Sequence, residues 1–293
     1  MSSGFRFWLY NRCVIGLIGP VLPATWFGPK PPAAEQLRPA GEPLKLEIVA
    51  HCWQYAHLLA YQLSSVKRFT PNTVRLTYTL YYCESDRATV QLIEHYAQES
   101  LPNIHWNWQP LPEAELKRRA IGRNRSALST DADWVWFADC DLIFHDGCLA
   151  SLQAVVSGLQ RRMVYPATEC ITAMLEASSP LVNVDPAQTP EPQIDPDDFV
   201  VSPITKAKGA FQIVHGDVAR QCGYCPQLRL YQQPTIHWRK TFEDTAFRKL
   251  IDDQGTPVEV RALHRIRHTS KGRYQPSGLF TRLRTMVRRL RGE

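Results

Sequence analysis

The sequence predicts an α/β domain with a single, mainly parallel central sheet flanked by helices. Two observations carry this. Short runs of apolar, β-branched and aromatic residues alternate with helical periodicities over about 100 residues, the pattern of strands joined by crossover helices. Hydrophobic residues make up 44% and charged residues 21% of the 293, so the chain can bury a sizeable core and is not disordered as a whole.

Taken in order, residues 46–50 are a short apolar run that reads as the first strand, and residues 54–65 come next as a helix with Leu58, Leu59 and Leu63 on one face. Residues 74–82, rich in β-branched and aromatic side chains, make a second strand. Asp86 is placed to cap a helix over residues 87–98, whose apolar face is Val90, Leu92, Ile93 and Tyr96. Residues 104–108 alternate as a third strand, and 112–128 are helical. Residues 134–138 form an apolar strand that ends in Asp139-Cys140-Asp141. Between 173 and 203 six prolines and a cluster of acids are too polar and broken for core, which predicts a lid or a disordered segment. Residues 210–214 then read as a strand and 242–251 as a helix begun by acids. No internal repeat is visible.

The folded domain is expected over residues 44–275. An arm and proline-rich linker, residues 1–43, precede it. Residues 13–29 carry no charge, but Pro20 and Pro23 interrupt the run, and about 20 apolar residues are needed to span a bilayer. A loosely structured arm or a shallow membrane dip therefore reads better than a cleaved signal. Eight cysteines lack a framework spacing in a chain too long to need disulfide staples, so reduced thiols in a cytosol-like compartment are expected. Cys222 and Cys225 make one C-x-x-C without a second pair, short of the four ligands of structural zinc.

The formal net charge of +6 is unevenly spread. Residues 261–293 hold ten basic side chains against the single acid Glu293, leaving the remainder slightly acidic. A uniformly basic nucleic-acid coat is disfavoured by that split, and no nucleic-acid partner is expected. Over residues 276–293, Leu279, Phe280, Leu283, Met286, Val287 and Leu290 recur at helical spacing among arginines. Such a helix either lies on an anionic membrane surface or docks on the core with its arginines in water. The location implied is cytoplasmic, with peripheral contact at the inner face of the membrane as the further option.

Chemistry concentrates at Asp139 and Asp141. Two carboxylates just past a buried strand stand at the edge where open α/β sheets bind ligands. Hard cations such as Mn²⁺ or Mg²⁺ are held by one or two carboxylates together with phosphate oxygens and water, so the pair suits a metal on a diphosphate.

The order of motifs resembles the family-2 glycosyltransferases of GT-A fold. Arg119-Ala120-Ile121-Gly122-Arg123-Asn124, Trp134 through Asp141, and Phe242-Glu243-Asp244 through Arg248 carry the resemblance, which spans roughly residues 45–275 and neither tail. It implies an inverting, metal-dependent transferase of the GT-A nucleotide-sugar-binding fold, with a nucleotide-sugar donor and a glycan or lipid-linked acceptor. It also implies roles. Ala50 and His51 would meet the nucleoside, and Glu84 or Asp86 the base, with the family's usual Asp-Asp-x-Ser replaced by Cys83-Glu84-Ser85-Asp86. Arg123 would lie against base or ribose. Asp139 would contact ribose and metal, Asp141 would hold the metal, and His268 would be its third protein ligand. Asp244, with Glu243 second, would be the base that inversion requires on the face opposite the leaving group. Lys271 and Arg273 would sit on the diphosphate, and Trp238 is a candidate to stack on an acceptor sugar. As mere helix-terminal acids, Glu243 and Asp244 would contribute only about 0.3–1 kcal/mol through the helix dipole. Lys206 to Ala210 resembles the segment that lines the donor and acceptor pockets.

Two other classes fit less well. A metal-dependent nucleotidyltransferase on a related sheet would usually carry a glycine-rich phosphate loop at its first strand, and residues 46–54 contain no glycine. A non-catalytic basic binding module would want aromatics interleaved with arginine, and the last 33 residues offer only Tyr274 and Phe280.

Overall fold

The computed structural model describes residue 26, residues 28–236 and residues 241–269. The arm over residues 1–25, Trp238, Lys271, Arg273 and the tail helix expected over 276–293 lie outside the described residues.

Strand β1 (Leu44–His51) runs into helix α1 (Ala56–Phe69), and β2 (Val74–Tyr82) into α2 (Arg87–Ala97). Asp86 caps α2 as expected, its side chain accepting from the Thr89 amide. Then come β3 (Ile104–Pro110), the short helix α3 (Glu113–Leu116), α4 (Arg119–Ser129) and β4 (Trp134–Phe137). The single helix expected over 112–128 is thus broken. Arg118 leaves the helical conformation and sends its buried side chain to the Gln233 carbonyl, 3.3 Å away, an anchor that local periodicity could not reveal.

Next along the chain are β5 (Leu142–Phe144), α5 (Cys148–Val156), β6 (Met163–Pro166), β7 (Thr168–Ile171), β8 (Val200–Pro203) and β9 (Gln212–His215). Helices α6 (Gly216–Cys222), α7 (Arg229–Gln232) and α8 (Glu243–Leu250) lead to β10 (Thr256–Val258) and β11 (Leu263–Arg265). The strand expected at 210–214 starts later, because Gly209–Phe211 form a 3-10 turn with Gly209 in the left-handed region.

Seven strands form the central sheet in the order β10-β6-β9-β4-β1-β2-β3. All pairings in it are parallel except the two that β9 makes. The central, mainly parallel sheet flanked by helices is the predicted one. Its strand β1 is buried everywhere but Lys45, and β4 at all four positions, as strands covered on both faces must be. Alongside it the chain builds a second, four-stranded sheet, β5-β11-β7-β8, which the sequence pattern does not predict.

The acidic, proline-rich stretch before β8 differs from a lid or a disordered loop. It docks as a strap: Val182 and Phe199 bury against Leu58, Tyr61, Ile143 and Ile266. Glu191 pairs with Lys67 on α1 at 2.7 Å and with His95 on α2 at 3.0 Å. Enough apolar side chains sit among its acids to make a second small core.

The proline-rich segment before β1 is also docked rather than free. Arg38 binds Asp217 through its backbone amide and guanidinium, and the Pro32 carbonyl accepts from Arg162 at 2.8 Å. The packed body therefore begins well before the boundary expected at Leu44. The described cysteines are free thiols, Cys222 and Cys225 among them, and both of these are buried. Among the described residues no helix is long and apolar enough to cross a membrane.

Candidate active site

The carboxyl ends of β4, β1 and β2 lie side by side in the sheet, so the segments leaving these three strands meet at one edge. After β4, the Cys140 thiol turns inward. Its hydrogen bond to Cys52 and its burial hold it well above the usual thiol range, so it is a neutral core group. The aspartates on either side of it stay at the edge, and the Asp139 side chain is 35% exposed. β5 leaves this point at once and pairs antiparallel with β11, Leu142 opposite Arg265. Arg265 grips Glu169 with two bonds of 2.7 Å. Burial works against its charge, while Glu169, Asp141 and Asp139 raise its pKa above the ordinary arginine value.

Helix α4 presents Arg119 and Arg123 one turn apart. Arg119 hydrogen-bonds Asp139 and lies 3.6 Å from Glu243, joining the Asp-x-Asp to the Glu-Asp of α8. Its pKa is raised, first by Asp139 and also by Glu243. Glu243 is 3% exposed, whereas Asp244 beside it is half-buried and accepts from the Gly209 amide at 3.3 Å. Of the two base candidates, Asp244 is the one with surface to offer an acceptor.

Arg123 differs from the expectation that it lies against base or ribose. It is fully buried beside the rings of Phe137 and Tyr224, and donates to the Tyr224 hydroxyl at 3.0 Å, the Gly209 carbonyl at 3.2 Å and Asp139 at 3.4 Å. It supports the edge from beneath.

At the ends of β1 and β2, Ala50 is buried and His51 stacks on Tyr81 with ring centroids 4.9 Å apart. Asp86 is buried as well, holding the Gln54 amide at 2.6 Å and the Thr89 hydroxyl at 2.8 Å, and Glu84 is exposed. A cavity of about 600 Å³ opens here between Gln54, His57, Asp86 and the strap residues Asn183 and Asp185. A second cavity, about 690 Å³, lies at the opposite edge, beside Lys45, Arg75 and Asp131, away from the motif acids. His268 is buried near Tyr55 and His57. Among the described residues, Asp139, Asp141 and His268 do not close into a three-ligand group. The three that do are His95, Glu99 and Glu191, where the Lys67 ammonium already lies 2.7 Å from both carboxylates. Sequence reasoning gives no role to Arg119, Glu169, Gln212 or Tyr224. Only Arg119 carries a signal, its spacing of one helical turn from Arg123.

Four histidines share one electrostatic trend. Burial lowers the pKa of His51, His57, His215 and His264, and at His51 the nearby Arg123 and Arg119 charges lower it further. The unfolded chain therefore takes up protons below about pH 6.5 that the folded chain refuses. Stability is full above that pH and falls as the pH drops below it. Thermal unfolding measured from pH 7.5 to 5.5, at about half-unit steps, should show a falling Tm. A flat Tm over that window would contradict the buried, neutral rings.

No protein family matches the chain, and no curated protein matches it. Among solved structures it is similar to S. aureus TarS. Residues 1–349 of TarS align with a TM-score of 0.45 and 13% identity, covering 77% of this chain and 61% of that one. A second TarS structure aligns with a TM-score of 0.46 and 12% identity over 76% of this chain and 37% of that one. TarS 1–349 in complex with UDP-GlcNAc aligns with a TM-score of 0.32 and 15% identity over 46% and 36%. The chain spans less than two thirds of the TarS chains it matches.

Proposed function

We propose that the chain is a glycosyltransferase of GT-A fold that moves a sugar, with inversion, from a nucleoside-diphosphate sugar to a hydroxyl of a glycan or lipid-linked acceptor. One observation carries this reading: the acids of two motifs far apart in sequence meet at the carboxyl edge of the sheet, tied by Arg119 to Asp139 and Glu243, with Asp244 beside them.

In this reading Asp244 accepts the proton of the acceptor hydroxyl as its oxygen attacks the anomeric carbon. The new C–O bond forms on the face opposite the one from which the diphosphate oxygen departs with its bonding pair. Arg119 and Arg265 are fixed cations near the developing negative charge, and their anionic partners already hold them in place. Glu243 orients Arg119. The base would sit toward Glu84, at the end of β2.

The donor set at Asp139 and Asp141 would suit Mn²⁺ or Mg²⁺, with Asp139 shared between the ion and Arg119. Two hard carboxylates flank a thiol that is turned away and protonated, and the remaining ligands would come from the donor's phosphates and water. When bound, such an ion would neutralise charge on the diphosphate.

A thermal-shift screen of UDP, GDP and TDP with Mn²⁺ tests the reading. At 100 times its dissociation constant, a ligand that binds only the folded state stabilises it by about 2.7 kcal/mol. At least one of these pairs should raise the Tm, and Asp141→Ala should remove the metal-dependent part of the shift. If no nucleoside diphosphate shifts the Tm with or without metal, the reading is wrong.

A further inference from the structure

Beneath the motif acids lies a polar network that is buried for most of its length and that the reaction scheme does not use. It starts at Asp139 and the fully buried Arg123. The Arg123 guanidinium donates to the Tyr224 hydroxyl at 3.0 Å, and that hydroxyl donates to the Gln212 side-chain carbonyl at 2.8 Å. The Gln212 amide in turn donates to the main-chain carbonyl of Asp244 at 3.2 Å. A second path runs in parallel. Gly209 accepts from Arg123 through its carbonyl and donates to the Asp244 carboxylate through its amide. Asp139, at the end of β4, and Asp244, at the start of α8, are thus joined twice through the same arginine.

We propose that Arg123, Tyr224 and Gln212 are positioning residues, a buried strut that sets the Asp244 carboxylate at a fixed distance and angle from Asp139. The proposal rests on the glycosyltransferase reading and goes beyond it by assigning Tyr224 and Gln212. Physical grounds favour a strut over generic core. Arginine, tyrosine and glutamine are costly to bury, and such groups persist inside a protein when they are hydrogen-bonded. Here the aromatic packing is supplied separately: the Tyr224 ring stacks on Phe247 of α8 at 4.4 Å and meets Phe137 of β4 edge-on. Phenylalanine could do that. The hydroxyl adds only the link between Arg123 and Gln212. Each link is also directional, so the network fixes orientation where apolar packing would leave α8 free to slide.

Tyr224→Phe isolates the link because it keeps the ring and removes the hydroxyl. Gln212→Met, of similar length, breaks the next link and serves as the second variant. Two readouts are taken. The first needs no activity: in either variant, amide exchange over residues 207–211 and 243–247 should quicken about tenfold while α1 and α2 stay unchanged. The second uses a nucleotide sugar that the wild type turns over. There kcat should fall about 10–100-fold with the donor KM within about twofold, the signature of a misplaced base beside an intact donor site. Unchanged exchange in both segments overturns the strut whatever the activity. Quickened exchange with wild-type kcat overturns its positioning role. A wild-type chain that uses no nucleotide sugar sinks the parent reading, and the exchange data then decide by themselves whether the strut exists.

Discussion

An Asp244→Asn variant should transfer sugar about 10²–10⁴ times more slowly than the wild type, the range that a positioned general base contributes. The substitution is chosen for what it leaves alone. An asparagine side chain can still accept from the Gly209 amide, and the main-chain carbonyl still receives Gln212. Donor affinity and Tm should hardly move. The contrast is with Glu243→Gln. Glu243 is buried against Arg119, so its loss leaves a guanidinium underpaired and should lower the Tm as well as kcat. If the two acids only balance a helix dipole, Asp244→Asn leaves kcat untouched and shifts stability by about 0.3–1 kcal/mol. Single-turnover transfer rates for the two variants, read with their melting curves, separate these accounts. Full activity in Asp244→Asn together with an inactive Glu243→Gln would hand the role of base to Glu243.

The parts of this molecule that could be read from the sequence are those whose cause is local. The strands β1 to β3 are runs of seven to nine residues that carry composition or alternation, the four-residue β4 stands out because all four are aromatic or β-branched, and Asp86 caps α2 because capping depends on neighbours a few residues away. The second sheet is illegible because β5 and β11 have three residues each and β7 and β8 four, too few to show a period. Their formation depends on pairing partners distant in sequence, such as His264 with Ile143 and with Cys170. The strap misleads for a related reason. Its acids and prolines dominate the composition, while its fastening rests on a few side chains, Val182, Phe199 and Glu191, whose partners sit on other elements.

The site divides in the same way. Asp139 and Asp141 stand out as a tripeptide after an aromatic strand, whereas Glu243 and Asp244 are picked out only by the family resemblance. Arg123 reads as a ligand-side residue through the family resemblance, yet its surroundings make it a buried cation. Tyr224 and Gln212 leave no mark at all, because a buried hydroxyl differs from a core phenylalanine only by the partners it reaches.

Gly122 shows how strongly such hidden contacts can constrain one position. In an exposed helix, replacing glycine with alanine should stabilise by about 1 kcal/mol. In α4 a Cβ at residue 122 would lie 2.3 Å from His51 Nε2 and 2.7 Å from Tyr81 Cδ2, closer than real contacts allow. Neither ring can easily give way, since the two are stacked and buried and the Tyr81 hydroxyl is hydrogen-bonded to Ser126 one helical turn further on. Gly122→Ala is therefore expected to destabilise by about 3 kcal/mol, the upper end of ordinary overpacking, and to lower the Tm by roughly 5–10 °C. Transfer should fall as well, because α4 carries Arg119 and Arg123 on either side of the clash and pushing it off β1 moves both. The origin of the effect can be isolated. In a His51→Ala background one of the two obstructing rings is gone, so the same substitution should be less costly by more than about 1 kcal/mol, a coupling that only groups in contact produce. Equal costs in both backgrounds would mean that His51 does not pack on α4, and a Gly122→Ala protein as stable as the wild type would mean that α4 does not approach β1 this closely.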